Sequence, residues 1–274
     1  MFSFTGNFAD DNLGVEDAKV MKLVSTFNNK NSLEFFLGKD KRFLKLSNTE
    51  LVMEIELPAN YVPDNDIGGK LFENCEVSIN HEIVTKKSTA LDYSVTNWVL
   101  TKTAFDDSYV KSTMNINGWF DNGSFDKAQY LQTRTNRVTS AETFNKTIEH
   151  GGDLYLMPML RYYLTVPLNT GLARVTDVLP ADCVINLRFQ RAPSKFGFIK
   201  ISDTIDLVKK SDNSTHKVPF EYDEPVIPIK NPYLSVYYAN SSQLQSQLSR
   251  VGKSNLEIPF LGELNINNTN YNDT

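Results

Sequence analysis

The stretch LFENCEVSINHEIVTKKSTALDYSVTNWVL, residues 71–100, carries the clearest order of secondary structure in the chain. Apolar and polar residues alternate over 75–79 with the period of a half-buried β-strand. Asn80-His81 follows. Because Asn accepts a positive φ, this pair predicts a two-residue hairpin turn with a return strand over 82–85. From Asp92 onward the apolar residues are spaced three and four apart, so we expect a helix there.

Two further segments show the same alternation. Residues 50–57 (ELVMEIEL) and 183–190 (CVINLRFQ) place apolar side chains on one face and mostly polar ones on the other. One face of such a strand meets a core and the other meets water, which is typical of an antiparallel sheet. Other short runs also predict strands: 20–25, 33–37, 42–46, 114–120, 153–157, 161–166, 196–201, 205–208, 217–222, 226–229 and 233–238.

Helices are predicted only in the connections between these strands. Besides residues 92–100, Thr139 and Glu142 have the spacing of a capping box, with Phe144 and Ile148 following four apart and Gly151-Gly152 as a stop. A third helix is predicted over 241–251. The sequence therefore predicts an all-β protein: an antiparallel β-sandwich of jelly-roll type, with two or three short helices in the connections.

Composition restricts the class of protein. The 274 residues are 41% hydrophobic and 22% charged, which is ordinary for a globular protein. The net charge of −5 argues against broad nucleic-acid binding. The first residues lack a basic segment followed by an apolar one, and no window approaches 18 consecutive apolar residues. We therefore expect no secretory signal, no membrane span and synthesis inside a cell. Cys75 and Cys183 are expected to be buried free thiols.

No constellation of residues predicts catalysis. His81, His150 and His216 are far apart in sequence, and no pair of them has metal-ligand spacing. The acidic groups at 64–66 and 106–107 lack the pattern of a calcium loop, and Gly68-Gly69-Lys70 lacks the first glycine of a phosphate loop. We therefore predict no catalytic, cofactor-binding or metal-binding residue, no cofactor and no enzymatic activity.

The order of motifs resembles the capsid proteins of Polinton/Maverick elements and adintoviruses, which are DNA viruses with jelly-roll shells. The resemblance spans roughly residues 45–259. Two departures are His81, where the family usually has glycine, and Trp98, which shifts an aromatic pattern. The matching segments are Leu71-Phe72, Val77-Ser78-Ile79-Asn80, Val84, the aromatic segment 93–100, the strand LPADCVINLRFQR at 179–191, and the strand and helix at 233–248.

This resemblance implies a structural capsid subunit that self-assembles into ring-shaped capsomers and then a shell. The implied partners are copies of itself, as a trimer or pentamer, and other capsid proteins, with the virion as location and no direct contact with nucleic acid. Two complete jelly rolls need far more than 274 residues. The implied protein is therefore a single-jelly-roll, penton-like minor capsid protein or a truncated relative of the major one.

The predicted division of the chain has four parts. Residues 1–14 form a flexible arm, 15–230 the jelly-roll domain, 231–264 a C-terminal extension or the start of a second jelly roll, and 265–274 a mobile tail. The two ends are expected to become ordered against a neighbouring subunit. Because the amino-terminal arm is acidic, it is a poor candidate for packing a genome.

Other functions remain open on sequence alone. A β-sandwich module that binds carbohydrate or another ligand would use Trp119 and Phe120 beside Asn117 and Asp121. An enzyme with a dispersed site is the weakest alternative, because such sites on jelly rolls ordinarily need clustered histidines and carboxylates. A capsid-derived protein without an assembly role is a further alternative.

Overall fold

The computed structural model describes residues 17–38, 43–65, 67–83, 137–167, 183–240 and Ser242. Its helical elements are short: α1 is Ile67–Lys70, residues 137–139 are helical, and Ser194–Phe196 form a 3₁₀ turn. The strands are β1 Asp17–Val24, β2 Phe27–Asn28, β3 Ser32–Leu37, β4 Phe43–Pro58, β5 Tyr61–Pro63, β6 Phe72–Ile79, β7 Glu82–Ile83, β8 Glu142–His150, β9 Asp153–Pro167, β10 Ile185–Arg191, β11 Phe198–Lys200, β12 Thr204–Lys209, β13 Thr215–Pro219 and β14 Ile229–Asn240.

Eight of the twelve strands in the two large antiparallel sheets form the sandwich itself. In chain order these are β1, β3, β4, β6, β7, β9, β10 and β14. The first sheet has the order β1-β14-β4-β9, and the second has the order β3-β10-β6-β7. Counted along the chain, the sheets thus run first-eighth-third-sixth and second-seventh-fourth-fifth. This strand order is two interleaved Greek keys. The fold is a jelly roll, and the predicted fold class is confirmed.

The core lies between the two sheets and is filled by side chains. The first sheet contributes apolar residues such as Leu51, Ile55 and Leu164, and the second contributes Phe35 and Leu187. All five are 2% exposed or less. Burial of each such side chain contributes about 1.5–3 kcal/mol, so this layer is the main source of stability.

The alternation predicted for residues 50–57 is confirmed in β4. Leu51, Met53, Ile55 and Leu57 are buried, and the two predicted strands 42–46 and 50–57 form one continuous strand. One expectation for this segment is wrong. Glu56 lies on the outer face but is only 9% exposed, because cationic side chains from two other strands cover it.

The hairpin predicted at Asn80-His81 is confirmed. Both residues have positive φ, 49° and 74°, and they connect β6 to β7. Asn80 also holds the segment before β10, since its Oδ1 accepts from Val184 N at 2.9 Å and its N–H donates to Val184 O at 2.8 Å. The turn therefore fixes both strands that flank β6 at this end of the second sheet.

The helix predicted from the capping box at Thr139 is wrong. Glu142–His150 is strand β8, which pairs antiparallel with β9. Phe144 and Ile148 are four residues apart, a spacing that fits one face of a strand as well as one face of a helix. Gly151 and Gly152 decide between the two, because their φ values of 59° and 85° form a two-residue hairpin turn.

The β8–β9 and β12–β13 hairpins extend the first sheet and have their own small core. β9 pairs with β8 on one side and with β12 near its start. Buried residues Tyr155, Met157, Met159, Ile205 and Leu207 pack together there. This second cluster makes the extension a packed part of the molecule.

The end of the sandwich differs from the predicted domain division. β14 begins at Ile229, so the boundary predicted between 230 and 231 falls inside a strand that lies between β1 and β4. Residues 231–240 are thus part of the first sheet. The predicted arm at 1–14, strand at 114–120, helix at 92–100 and tail at 265–274 lie outside the described residues, as does the 241–251 helix apart from Ser242.

Candidate assembly surface

The edge of the first sheet exposes apolar side chains. β1 pairs with β14 and is the edge strand of the sheet that the described residues form. Val20 and Val24 on this strand are 62% and 65% exposed. Lys22 lies between them, but its Nζ is 4.0 Å from the centroid of the Tyr233 ring. An edge strand presents unpaired backbone groups, and lysine normally protects such an edge. Here the lysine leans over a neighbouring ring, and the two valines remain accessible.

An apolar row continues from this edge across the outer face of the sheet. Val24 is directly opposite Tyr233 in β14, and Tyr233 is directly opposite Val52 in β4. Directly opposed residues on adjacent strands are close enough for their side chains to interact. The row is therefore a continuous strip that begins at the sheet edge and ends near its centre.

A charged cluster flanks the strip on the same face. Arg161 of β9 donates to Glu56 Oε1 of β4 from Nε at 3.1 Å and from Nη2 at 2.9 Å. Lys230 of β14 donates to Glu56 Oε2 at 2.6 Å. Burial alone would raise the pKa of Glu56, but the hydrogen bonds from Lys230 and Arg161 outweigh it and hold this pKa below its usual value. One carboxylate thus ties three strands together.

The cluster extends to β8 through Glu142. Arg161 Nη1 lies 3.4 Å from Glu142 Oε2, and the Tyr163 hydroxyl donates to the same oxygen at 2.8 Å. The hydrogen bond to Glu142 raises the pKa of Tyr163. The Arg161 guanidinium also lies 4.6 Å from the centroid of the Phe144 ring. Arg161 is therefore held on several sides. The outer face combines this fixed charged zone with an apolar strip that is exposed at its edge and half-buried toward the centre.

The two cysteines differ in burial. Cys75 is buried in β6, and burial raises the pKa of its thiol, so the thiolate is disfavoured. Cys183 precedes β10 and is half-buried. Both are free thiols, as predicted. Cys75 therefore does not have the environment of an activated nucleophile.

The histidines are partly brought together, contrary to their separation in sequence. His150 and His216 both lie edge-on to Tyr155, with ring centroids 6.1 and 5.7 Å away. Ser214 Oγ donates to Asp212 Oδ1 at 2.6 Å and lies 2.8 Å from His216 Nε2. The serine thus lies between the carboxylate and the imidazole, whereas a catalytic triad needs the imidazole in the middle. Within the described ranges, no group of three His, Cys, Asp or Glu side chains is arranged to hold a metal ion.

The other motifs considered from sequence have structural explanations or lie elsewhere. Gly68 and Gly69 are buried in α1, and the ammonium of Lys70 forms an ion pair with Asp64 at 2.5 Å. Lys70 is therefore already paired within the protein. His81 is in the β6–β7 turn. The acidic pair 106–107 lies outside the described residues. So do the residues predicted for a carbohydrate site, Asn117, Trp119, Phe120 and Asp121.

Several contributors to this surface were not predicted from sequence. The alternation in sequence predicts that Glu56 faces water, and it predicts no more for Arg161 and Val20 than that they lie in strands. The signal for Val20 and Val24 lies in β1 itself, where two of the three residues that alternate with the half-buried Met21 and Leu23 are also apolar. The ion pairs had no local signal, because Lys230 is 174 residues from Glu56.

Comparison with known proteins finds similarity to solved structures, but to no family model and no curated protein. The structure of PBCV-1 VP54 fitted into a reconstruction of the virophage Sputnik is 11% identical, with a TM-score of 0.39. A quasi-atomic model of the PBCV-1 virus capsid is 12% identical, with a TM-score of 0.36.

Both similar structures are viral capsid proteins. Each match covers 85% of this chain but only 45% and 44% of the two capsid chains, so this chain spans less than half the length of either. Among the described residues, the helices are too short to cross a bilayer.

Proposed function

We propose that this chain is a structural subunit of a viral or virus-derived capsid that self-assembles into ring-shaped capsomers. The observation that carries the proposal is the strand order of the two sheets, first-eighth-third-sixth and second-seventh-fourth-fifth. Jelly rolls occur in capsid, lectin and cupin-like proteins, so the choice among these classes depends on surfaces and sites.

The filled interior favours a structural role over a ligand chamber. Large side chains occupy the space between the sheets, including Phe35, Phe72 and Phe189, and the ring of Phe189 contacts the other two. Phe189 is 5.0 Å from Phe72 and 6.2 Å from Phe35, measured between ring centroids. A sandwich of this kind presents its chemistry on the outside, where the apolar strip and the β1 edge lie.

The proposed contact is between different patches on neighbouring copies. The β1 edge and the strip from Val24 to Val52 form one patch, and a second patch on the neighbour covers it. Contacts between unlike patches close into rings when the rotation between copies divides a full turn. A trimer or a pentamer satisfies this condition, and the virion shell is the proposed location. A Polinton- or adintovirus-like origin is part of the same proposal and rests on the sequence motifs.

The test is the solution mass of the purified chain, measured by light scattering after size exclusion at low and high salt. A discrete species at three or five times 31.1 kDa supports the capsomer and chooses between the two ring sizes. Because the proposed contact is apolar at its centre, the species persists at high salt. A monomer at every protein and salt concentration contradicts the proposal and favours the ligand-binding alternative. That alternative is tested by comparing glycan binding of the wild type with that of Trp119→Ala.

A further inference from the structure

A cleft of about 720 Å³ opens beside the second sheet, and none of the residues of the apolar strip lines it. The ends of β3, β6 and β10 and the loop at Pro225 line it. Its charged lining consists of three cations and two carboxylates: Lys30, Arg188, Arg191, Glu73 and Glu76. The jelly-roll interior and the capsid proposal make no use of this cleft.

Arg191 is the unusual member of this lining. Its side chain is only 6% exposed, yet its guanidinium makes one hydrogen bond, from Nη2 to the carbonyl of Ile227. Its Nε is buried without an acceptor. The ring of Phe72 lies 5.8 Å from the guanidinium carbon. Among the described residues no carboxylate forms an ion pair with Arg191. Burial lowers its pKa to about 10, which still leaves it charged at neutral pH.

One of the two carboxylates in the lining accepts a hydrogen bond from within the second sheet. Glu73 Oε2 accepts from Gln190 Nε2 at 2.6 Å. Arg188 pairs with Glu34 at 3.2 Å, which satisfies that cation from within the protein. Lys30 is exposed and forms no ion pair within the described ranges. Within the part of the chain that the structure describes, the cleft therefore contains two cations that form no ion pair, one buried and one exposed.

The backbone at this point is also irregular. Gln190 is opposite Asn74, but Arg191 is opposite Phe72, so one extra residue, Glu73, is inserted in β6. Such a bulge turns side chains away from the regular alternation and is common beside binding sites. A buried charge without a partner strongly destabilises the fold. A bound anion would supply that partner.

We propose that this cleft binds a carboxylate group, held by the guanidinium of Arg191 and by the ammonium of Lys30. A planar carboxylate matches the fork of N–H donors on a guanidinium. The carboxylates of Glu73 and Glu76 in the same lining disfavour a doubly charged phosphate. The carboxylate comes either from a small free acid or from an acidic chain segment. Residues 1–18 of this chain contain such a segment, with four acidic residues and no Lys or Arg.

The experiment is calorimetric titration of the full-length chain with acetate, succinate, inorganic phosphate and a synthetic peptide of residues 8–18. We expect saturable binding of the carboxylate probes, weakened at least ~10-fold by Arg191→Met and ~3-fold by Lys30→Gln. Lys210→Gln, an exposed lysine on the β12–β13 turn, is the matched control and leaves binding unchanged. Lys30→Gln alters only an exposed side chain, so it tests the site even if Arg191→Met does not fold.

The probes also distinguish the sources of the carboxylate. Peptide binding that is at least ~10-fold tighter than acetate binding supports an acidic segment, and equal affinities support a small free acid. Tighter binding of phosphate than of either small carboxylate overturns the proposal. So does an absence of saturable binding by every carboxylate probe, or carboxylate binding that Lys30→Gln and Arg191→Met leave unchanged.

Discussion

Arg161 and Glu56 face each other across β9 and β4, and two N–H groups of the guanidinium converge on a single carboxylate oxygen at 3.1 and 2.9 Å. The second oxygen of Glu56 accepts from Lys230. Since Glu56 is only 9% exposed, its charge depends on both cations for compensation. This carboxylate is the point where β14, β4 and β9 are joined on the outer face.

We expect Glu56→Gln to destabilise the fold by about 2 kcal/mol, because hydrogen bonds to a charged group are lost and two cations are left near a neutral amide. Urea unfolding followed by circular dichroism measures the change. Glu54→Gln is the matched control: it lies on the same strand and accepts one hydrogen bond, from Asn231. A loss of stability equal in the two variants would contradict the assigned role of Glu56.

The pH dependence of stability follows from the lowered pKa of Glu56. A carboxyl group whose pKa is lower in the folded than in the unfolded chain stabilises the fold fully above the unfolded value, about 4.3. That contribution disappears as the pH falls through the folded value. We therefore expect the difference in unfolding free energy between wild type and Glu56→Gln to be constant from pH 7 to about 5 and to shrink below about 4. A difference that stays constant down to pH 3 would refute this assignment.

At the turn Asn80-His81, in contrast, we expect a substitution to increase the free energy of unfolding. His81 has a φ of 74°, a conformation that costs an L-residue with a side chain about 1 kcal/mol relative to glycine. We expect His81→Gly to stabilise the protein by about 0.5–1 kcal/mol and to raise the thermal midpoint. Asn80→Gly serves as the comparison. It relieves the same kind of strain but loses the bond to Val184 N, so its gain should be smaller or absent.

The sequence predicted the fold because the decisive patterns are local. One strand contains the whole alternation of Leu51, Met53, Ile55 and Leu57 with mostly polar residues. The residue types of Asn80-His81 are sufficient to predict the turn that they form. Alternation of this kind predicts a strand with one buried face, and many such strands in one chain indicate a sandwich. Local patterns also explain the wrong prediction for residues 142–150. The spacing of Phe144 and Ile148 fits both a helix and a strand, and only the turn at Gly151-Gly152 distinguishes the two structures.

The surface features required contacts that no local pattern contains. Glu56 is buried by Lys230, 174 residues away, and Arg191 meets Ile227 across 36 residues. Their chemistry depends on strand order and register, which sequence patterning does not specify. Resemblance to capsid proteins predicted the class of fold and a role in assembly, but it assigned no function to Arg191 or to the outer face.

The assembly surface itself is tested by Val20→Lys combined with Val24→Lys. Both side chains are exposed on the β1 edge, so charge there leaves the core intact, while a lysine on an edge strand opposes pairing with another chain. We expect the double variant to keep its thermal midpoint within about 2 °C and to run as a monomer in light scattering at concentrations where the wild type forms its ring. Leu154→Lys, exposed on β9 near the β8–β9 turn, is the control and should assemble normally. Rings of unchanged mass from the double variant would show that subunits meet through another face, and would move the proposed contact away from β1.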